Sequence, residues 1–195
     1  MGGWNHNIHY HHIALRAIPV ECNRALDVGC GQGLLARKLA PFCREVVAID
    51  LDRAALDRGD SSTGLESGIT FVEGDVMSCA LCEGSFDLIT AVAVLHHLPL
   101  RLALELFRRL LRPGGTLVVI GLFRLDTLED YALAAVAVPT SWTIRCLRGS
   151  ADVGAPLHAP GETLREIRAA LNDLLPGGTF RRHLLFRYSF MWRKP

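Results

Sequence analysis

The sequence predicts an α/β fold built on a parallel sheet. Apolar runs typical of strands alternate with stretches of helical spacing between residues 25 and 121. This alternation is typical of parallel strands that are joined by right-handed helical crossovers. Half of the residues are hydrophobic, as expected for a sheet that is buried on both faces. At 195 residues the chain is long enough for a single domain with a substantial core.

Five strands are predicted in this region, and each is followed by a turn or by polar residues. They begin near residues 25, 45, 69, 85 and 116. Helical spacing follows the first strand at residues 34–40 and occurs again at 8–17 and 163–175. Residues 180–192 alternate loosely and have β character.

The first strand ends at a carboxylate and enters a glycine-rich turn, Asp27-x-Gly29-x-Gly31-x-Gly33. Such a turn between a strand and a helix forms a nucleotide-type cradle, because glycine lets the backbone pass close to a ligand. A dinucleotide fingerprint needs glycine where Leu34 stands, and a P-loop needs a Gly-Lys-Ser/Thr run that is absent. An acid here repels phosphate and attracts the sulfonium and ammonium groups of S-adenosylmethionine (SAM).

Later motifs follow this turn in a consistent order. Asp50 ends the second strand about 20 residues beyond the glycines, Asp75 follows the third strand, and Pro113-Gly-Gly precedes the fifth. Over residues 25–121 the chain resembles the class I SAM-dependent methyltransferases, in particular the small-molecule enzymes of methyltransferase types 11, 12 and 25. The resemblance implies a Rossmann-like, seven-stranded, mostly parallel sheet with an antiparallel C-terminal strand and helices on both faces. Residues 180–192 fit its closing hairpin.

The resemblance also implies contacts to the methionine and ribose parts of SAM. Asp27 and the backbone of Gly29 and Gly31, with Cys30 between them, are expected to hold the methionine end. Asp50 is expected to accept hydrogen bonds from both ribose hydroxyls. The alternative for each carboxylate is a strand-end residue that only caps a helix or a turn.

Further contacts are expected around the adenine and the sulfonium. The resemblance places Leu51 against the adenine face and Asp75 and Val76 at its edge. It places Ala91, in the fourth strand, beneath the sulfonium. For Asp75 the alternative is strong, because Gly-Asp is also an ordinary turn sequence.

Candidate catalytic residues are less well defined, because an activated methyl donor needs mainly alignment and the removal of water. His96 and His97 lie where the resembled family often has histidine after the fourth strand, and Tyr10 and His9 are comparable candidates. Any of the histidines could accept a proton from a hydroxyl or amine acceptor. The alternative is that one histidine packs under the next helix while the other caps it.

Residues 1–24 precede the first strand and are expected to form a cap over the cofactor, as in the resembled proteins. Four histidines in this segment invite a metal hypothesis, with His9 and His12 one helical turn apart. Carboxylate and cysteine companions are missing nearby, and the Cys79-x-x-Cys82 pair has no second pair. We therefore expect no metal.

The rest of the chain, residues 25–195, is assigned to one methyltransferase domain. Within it, residues 121–160 are expected to form a lid or an acceptor-site insertion. A helix is expected at 125–138 with Asp126 as its cap. Residues 131–144 carry no charge, which fits either a buried helix or an apolar lid over an apolar or amphipathic acceptor.

Charge and composition limit the partners. The net charge of +1 and the pI near 7.7 argue against nucleic acid, and the Asn-Pro-Pro-Tyr motif of base-amino methyltransferases is absent after the fourth strand. Apolar runs are too short for a membrane span, and no secretory signal leads the chain. The expected protein is therefore a cytoplasmic, monomeric or homodimeric enzyme, and its arginine-rich composition suggests a bacterium. It would methylate a small molecule; the alternatives are a non-catalytic SAM-binding partner subunit and an NAD-type oxidoreductase.

Overall fold

A seven-stranded sheet forms the centre of the protein. The computed structural model describes residues 6–61, 68–127, 160–183 and 187–195. The strands are β1 Cys22–Val28, β2 Cys43–Asp50, β3 Ile69–Glu73, β4 Phe86–Val92, β5 Leu111–Leu122, β6 Thr179–His183 and β7 Arg187–Arg193. Their order is β3-β2-β1-β4-β5-β7-β6. Strands β1 to β5 run parallel, and β7 is antiparallel to both β5 and β6. The predicted mixed sheet is confirmed.

Helices cover both faces of this sheet. They are α1 His6–Arg16, α2 Leu34–Leu39, α3 Arg53–Ser61, α4 Leu100–Leu110 and α5 Leu164–Leu174, with a 3₁₀ turn at Leu95–His97. One core cluster contains Phe107 of α4 and Leu171 of α5. The other contains Ala14 of α1 and Leu39 of α2. The prediction of helices on both faces is therefore confirmed.

The C-terminal helix shows why its sequence prediction succeeded. Thr163 precedes α5, and its hydroxyl accepts a hydrogen bond from the Glu166 amide at 3.3 Å. The Glu166 carboxylate accepts one from the Thr163 amide at 2.8 Å. This reciprocal capping box satisfies two backbone donors that the first helical turn leaves free, so the helix starts where the sequence indicates.

Strand β5 begins earlier than the sequence predicts. It starts at Leu111, which pairs with Phe86, and the register shifts before Thr116 pairs with Leu88. The Pro-Gly-Gly sequence therefore lies inside the strand as an irregularity instead of preceding it. A Cβ at Gly115 would lie 2.9 Å from the Phe86 carbonyl oxygen, so only glycine fits this close approach.

The sheet has a crevice where its strand order reverses. From β1 the chain passes outward through β2 and β3, and it then returns to β4 on the other side of β1. Crossovers on opposite faces diverge at such a point and leave space beyond the carboxyl ends of the strands. Asp27 of β1 and Thr90 of β4 are paired at this point.

Several expectations concern residues outside the described ranges. The uncharged run at 131–144 lies there, as do most of the helix expected at 125–138 and most of the proposed lid. In the described ranges, no helix has both the length and the apolarity that a membrane crossing requires.

Candidate active site

A cavity of about 380 Å³ opens at the carboxyl edge of the sheet. Its walls come from the tips of β1, β2 and β4, from the turn after β3, from the 3₁₀ turn and from α1. These elements meet at the crevice beside the β1–β4 pair, where ligands bind in open α/β sheets.

The glycine-rich turn forms one wall of this cavity. Gly29, Gly31 and Gly33 adopt φ angles of 66°, 53° and 68°, which side chains other than glycine rarely allow. A Cβ at Gly29 would lie 2.6 Å from Val94 Cγ2, whereas nothing lies within 4 Å of a Cβ at Gly31. The turn is therefore packed tightly behind Gly29 and open at Gly31, with Cys30 between them also in the lining.

Asp27 is a buried carboxylate with one unsatisfied oxygen. Its side chain lines the cavity and is 2% exposed. Oδ1 accepts a hydrogen bond from the Thr90 hydroxyl at 2.8 Å, while Oδ2 makes no hydrogen bond of good geometry in the described part of the chain. Burial raises the pKa of Asp27 to about 7, against the opposing effects of the Thr90 hydroxyl and the nearby Ala36 amide. A ligand ammonium at Oδ2 would satisfy this oxygen and favour its charged form.

Asp50 holds the glycine turn in place. Its Oδ2 accepts a hydrogen bond from the Gly31 amide at 2.7 Å, and its Oδ1 accepts one from the Asp52 amide at 2.9 Å. A carboxylate has about four acceptor sites, so both oxygens can still accept bonds from a ligand. Next to it, the Leu51 side chain is 71% exposed and lines the cavity. This pair fits a ribose and the face of an adenine.

Asp75 and Val76 also line the cavity. Asp75 is exposed, and its Oδ1 accepts a hydrogen bond from the Met77 amide at 2.9 Å. Its carbonyl oxygen accepts bonds from the Ser78 and Cys79 amides. Asp75 therefore shapes a turn, as the alternative interpretation of its Gly-Asp sequence predicted. It also lies at the cavity.

Ala91, expected beneath the sulfonium, is not among the residues that line the cavity. Ala91 is fully buried in the core shared with α4 and α5. Val92, the last residue of β4, and Ala93, just beyond it, line the cavity instead. Ala93 has φ 55°, a conformation that non-glycine residues adopt rarely and often at functional sites. Nothing in the sequence indicated this backbone geometry.

Of the four candidate catalytic residues, His9, Tyr10, His96 and His97, only His97 lines the cavity. It is exposed, and the His96 ring packs against it at 4.0 Å between centroids. Tyr10 is buried and packs against His183 with ring centroids 5.1 Å apart. His96 and Tyr10 therefore occupy positions beside the cavity wall, and neither is brought to the cavity itself.

His11 lines the cavity, although the sequence did not single it out. It is buried, and its Nδ1 lies 3.3 Å from Lys38 Nζ in α2. An ammonium only donates, so Nδ1 accepts and the proton of the neutral ring lies on Nε2. Burial, followed by the Lys38 charge, lowers the pKa of His11 to about 4. Ile8, one helical turn earlier, is also in the lining, and this spacing was the available signal.

A metal site was not expected, and the described residues contain no group of three or more histidine, cysteine, aspartate or glutamate side chains that could hold one. His12 instead uses Nδ1 in a 2.7 Å contact with the His9 carbonyl oxygen. His11 thus lies at the cavity, His12 contacts the helix backbone, and His9 packs against Tyr10.

Comparisons with known proteins agree with this geometry. A family model described as a methyltransferase domain matches residues 26–119. An uncharacterized methyltransferase of Mycobacterium tuberculosis is 35% identical over 98% of both chains. A ubiquinone biosynthesis O-methyltransferase of Burkholderia vietnamiensis is 35% identical over 58% of this chain and 49% of that protein. The crystal structure of the N-methyltransferase NodS from Bradyrhizobium japonicum WM9 in complex with S-adenosyl-L-homocysteine aligns with a TM-score of 0.64 at 22% identity, over 96% of this chain and 87% of that one. The chain belongs to the class I SAM-dependent methyltransferases.

Proposed function

We propose that this SAM-dependent methyltransferase acts on a small-molecule acceptor. The near-neutral net charge of +1 supports this acceptor class, because proteins that bind nucleic acid generally carry a basic surface. The relatives support it too, since one of them is named for ubiquinone biosynthesis. The observation that carries the cofactor assignment is the Asp27 carboxylate in the cavity wall, whose Oδ2 makes no hydrogen bond of good geometry in the described part of the chain.

We assign the amino-acid end of SAM to Asp27 and to the backbone of the turn from Gly29 through Cys30 to Gly31. The Asp27 carboxylate would bind the ammonium, while the bare surface at Gly31 leaves room for the ligand. Bound SAM supplies a methyl group on a sulfonium, which a nucleophile attacks from the side opposite the sulfur. The protein's part is to align the two reactants and to keep water away.

The nucleoside end is assigned to the tips of β2 and β3. Asp50 would accept hydrogen bonds from the ribose hydroxyls with the acceptor sites that its two backbone bonds leave free. Leu51 would cover one face of the adenine, and Asp75 and Val76 would meet its edge. Val92 and Ala93 replace Ala91 as the candidates beneath the sulfonium, because they line the cavity.

We assign the general-base role to His97 when the acceptor is a hydroxyl or an amine. His97 lines the cavity and is exposed, so its ring can meet an acceptor that enters from solvent. His96 would act by positioning His97 through their ring contact. Imidazole is suited to this task because its pKa lies near neutral pH.

Two segments complete the proposed site. The part of the 1–24 segment that precedes β1 would form the cap, since α1 supplies Ile8 and His11 to the cavity. Residues 121–160 would form the acceptor-site insertion of the domain at 25–195. The enzyme would work in the bacterial cytoplasm as a monomer or a homodimer.

A labelling experiment tests the proposal. The protein is incubated with methyl-labelled SAM and a bacterial metabolite extract, and label is counted separately in small molecules, protein and nucleic acid. We expect label in the small-molecule fraction. Label only in macromolecules would contradict the acceptor class, and tight SAM binding without any transfer would favour a non-catalytic partner subunit. Thermal stabilisation by NAD instead of SAM would indicate an oxidoreductase.

A further inference from the structure

Arg187 occupies an unusual place in the sheet. It is the first residue of β7 and pairs with Leu122, the last residue of β5, and with His183, the last residue of β6. Because β5 runs parallel to β1 and β4, its end lies at the same edge of the sheet as the donor cavity. Arg187 is therefore at the carboxyl edge, several strands away from the glycine turn.

The Arg187 side chain is buried, and two of its donor nitrogens lack partners among the described residues. The residue is 8% exposed, and its Nε and Nη1 have no hydrogen-bond partner in the described part of the chain. In the same ranges, none of the ion pairs involves Arg187. A buried charge with bare donors is costly, and proteins ordinarily pair such groups. A buried arginine with no such pair in the described ranges is a candidate for binding a ligand anion.

The surroundings of Arg187 are aromatic and basic. Burial lowers the pKa of Arg187 to about 10. The nearby phenol of Tyr10 has a smaller effect in the opposite direction. His183 has its pKa lowered by burial and then by the charges of Arg181, His12 and His9. The neighbourhood therefore offers positive charge and hydrogen-bond donors to whatever binds beside Arg187.

Helix α1 links this basic cluster to the donor cavity. Ile8 and His11 line the cavity, while Tyr10 on the same helix packs against His183. One helix, about 10 Å wide, thus separates the methyl-donor site from Arg187. A group bound there is remote from the reacting atom, where binding energy can fix the orientation of a substrate.

We propose that Arg187 binds an oxyanion, a carboxylate or a phosphate, at the end of the methyl acceptor that is remote from the methylated atom. This inference rests on the proposed function and narrows its acceptor to an anionic small molecule. Guanidinium suits the role because its planar donors match carboxylate and phosphate oxygens. The bound anion would supply the partner that Nε and Nη1 lack.

The test compares charged and neutral probes on the full chain saturated with S-adenosylhomocysteine. Hexanoate, butyl phosphate and the neutral hexanamide are titrated while the melting temperature is measured. We expect one of the anions to raise the melting temperature clearly more than hexanamide at equal concentration. A larger effect of hexanoate assigns a carboxylate, and a larger effect of butyl phosphate assigns a phosphate. Equal effects of acid and amide would overturn the proposal.

Two variants test whether Arg187 causes the difference in melting temperature between the anions and hexanamide. Arg187→Met should abolish the difference between anion and amide, whereas Arg193→Met, which removes an exposed charge at the opposite end of β7, should keep it. Without probe, Arg187→Met should melt at or above the temperature of the original protein, because it removes an uncompensated buried charge. A clear drop in the melting temperature would reveal a partner within the chain and overturn the proposal.

Failure here is distinguishable from failure of the proposed function. In one outcome the anions fail to stabilise the protein while S-adenosylhomocysteine binds normally and label enters neutral small molecules. This combination would reject Arg187 as an anion site and retain the methyltransferase assignment. Label in macromolecules alone would reject the small-molecule acceptor, whatever the probes show.

Discussion

The Asp50 carboxylate accepts a hydrogen bond of 2.7 Å from the amide of Gly31. This bond joins the tip of β2 to the turn after β1, so the carboxylate that we assign to ribose also shapes the glycine turn. A second bond, from the Asp52 amide, fixes the other oxygen. The candidate ribose and methionine subsites are thus mechanically coupled through one side chain.

Asp50→Ala should therefore weaken SAM binding more than the loss of ribose contacts alone would. We expect a cost of about 3 kcal/mol, on the order of a hundredfold in Kd, since charge-assisted hydrogen bonds and the support of the turn are lost together. Isothermal titration calorimetry measures it. Asp57→Asn, which removes an exposed acid paired with Arg53, is the matched control and should leave the affinity unchanged. An unchanged affinity in Asp50→Ala would remove the ribose assignment.

SAM affinity should depend on the charge of Asp27. Its pKa of about 7 means that the free protein is mostly protonated there at pH 6 and mostly ionised at pH 8. Because the ammonium needs the ionised carboxylate, the affinity should rise by about tenfold per pH unit between pH 5.5 and 6.5 and then level off. Asp27→Asn should bind weakly and without this slope. A slope of equal size in that variant would assign the titration to another group.

Two buried groups, His11 and Asp27, should have opposite effects on how stability changes with pH. The pKa of His11 is lowered from 6.5 to about 4 in the folded state, so its contribution is fully present above pH 6.5 and is lost as the pH falls through 4. The pKa of Asp27 is raised from 3.8 to about 7, so its contribution is present below pH 3.8 and is lost as the pH rises through 7. In the original protein the two effects largely cancel.

Single substitutions should separate these contributions. In Asp27→Asn the free energy of unfolding should increase by about 3 kcal/mol from pH 4 to 6.5, because the His11 effect is no longer opposed by Asp27. In His11→Phe it should decrease by about 4 kcal/mol between pH 4 and 7, because the Asp27 effect is no longer opposed by His11. Urea denaturation at several pH values measures both slopes. Parallel profiles for the two variants would contradict the assignment.

His97→Ala tests the general base once an acceptor is known. We expect a drop in kcat of about a hundredfold with S-adenosylhomocysteine affinity unchanged, because the proton acceptor is lost while the donor site is kept. His12→Ala, on the exposed side of α1, serves as the control. An unaltered rate in His97→Ala would leave that ring with a packing role only.

Strand-end residues were predictable from the sequence because a run of apolar residues fixes where a parallel strand ends. Asp27 and Asp50 both follow this rule, and both lie at the cavity. The shift from Ala91 to Ala93 shows the limit of the rule, because periodicity does not define the last residue of a strand or a left-handed backbone. That geometry depends on the Ala93 amide, which donates to the Ile120 carbonyl oxygen of β5.

Contacts between distant elements were not predictable in the same way. His11 lies at the cavity only because α1 packs beside α2, where Lys38 meets its ring. Arg187 is buried only because β7 inserts between β5 and β6. Both depend on tertiary pairing, for which local patterns give no register. The sequence therefore predicted the donor half of the site better than the half assigned to the acceptor.

A crystal structure of the protein with S-adenosylhomocysteine tests the central claim most directly. We predict the ligand's amino nitrogen within hydrogen-bond distance, about 3 Å, of Asp27 Oδ2, with both ribose hydroxyls on Asp50. A ligand whose amino group points away from Asp27, or an Asp27 that stays without a ligand contact in the complex, would contradict the account.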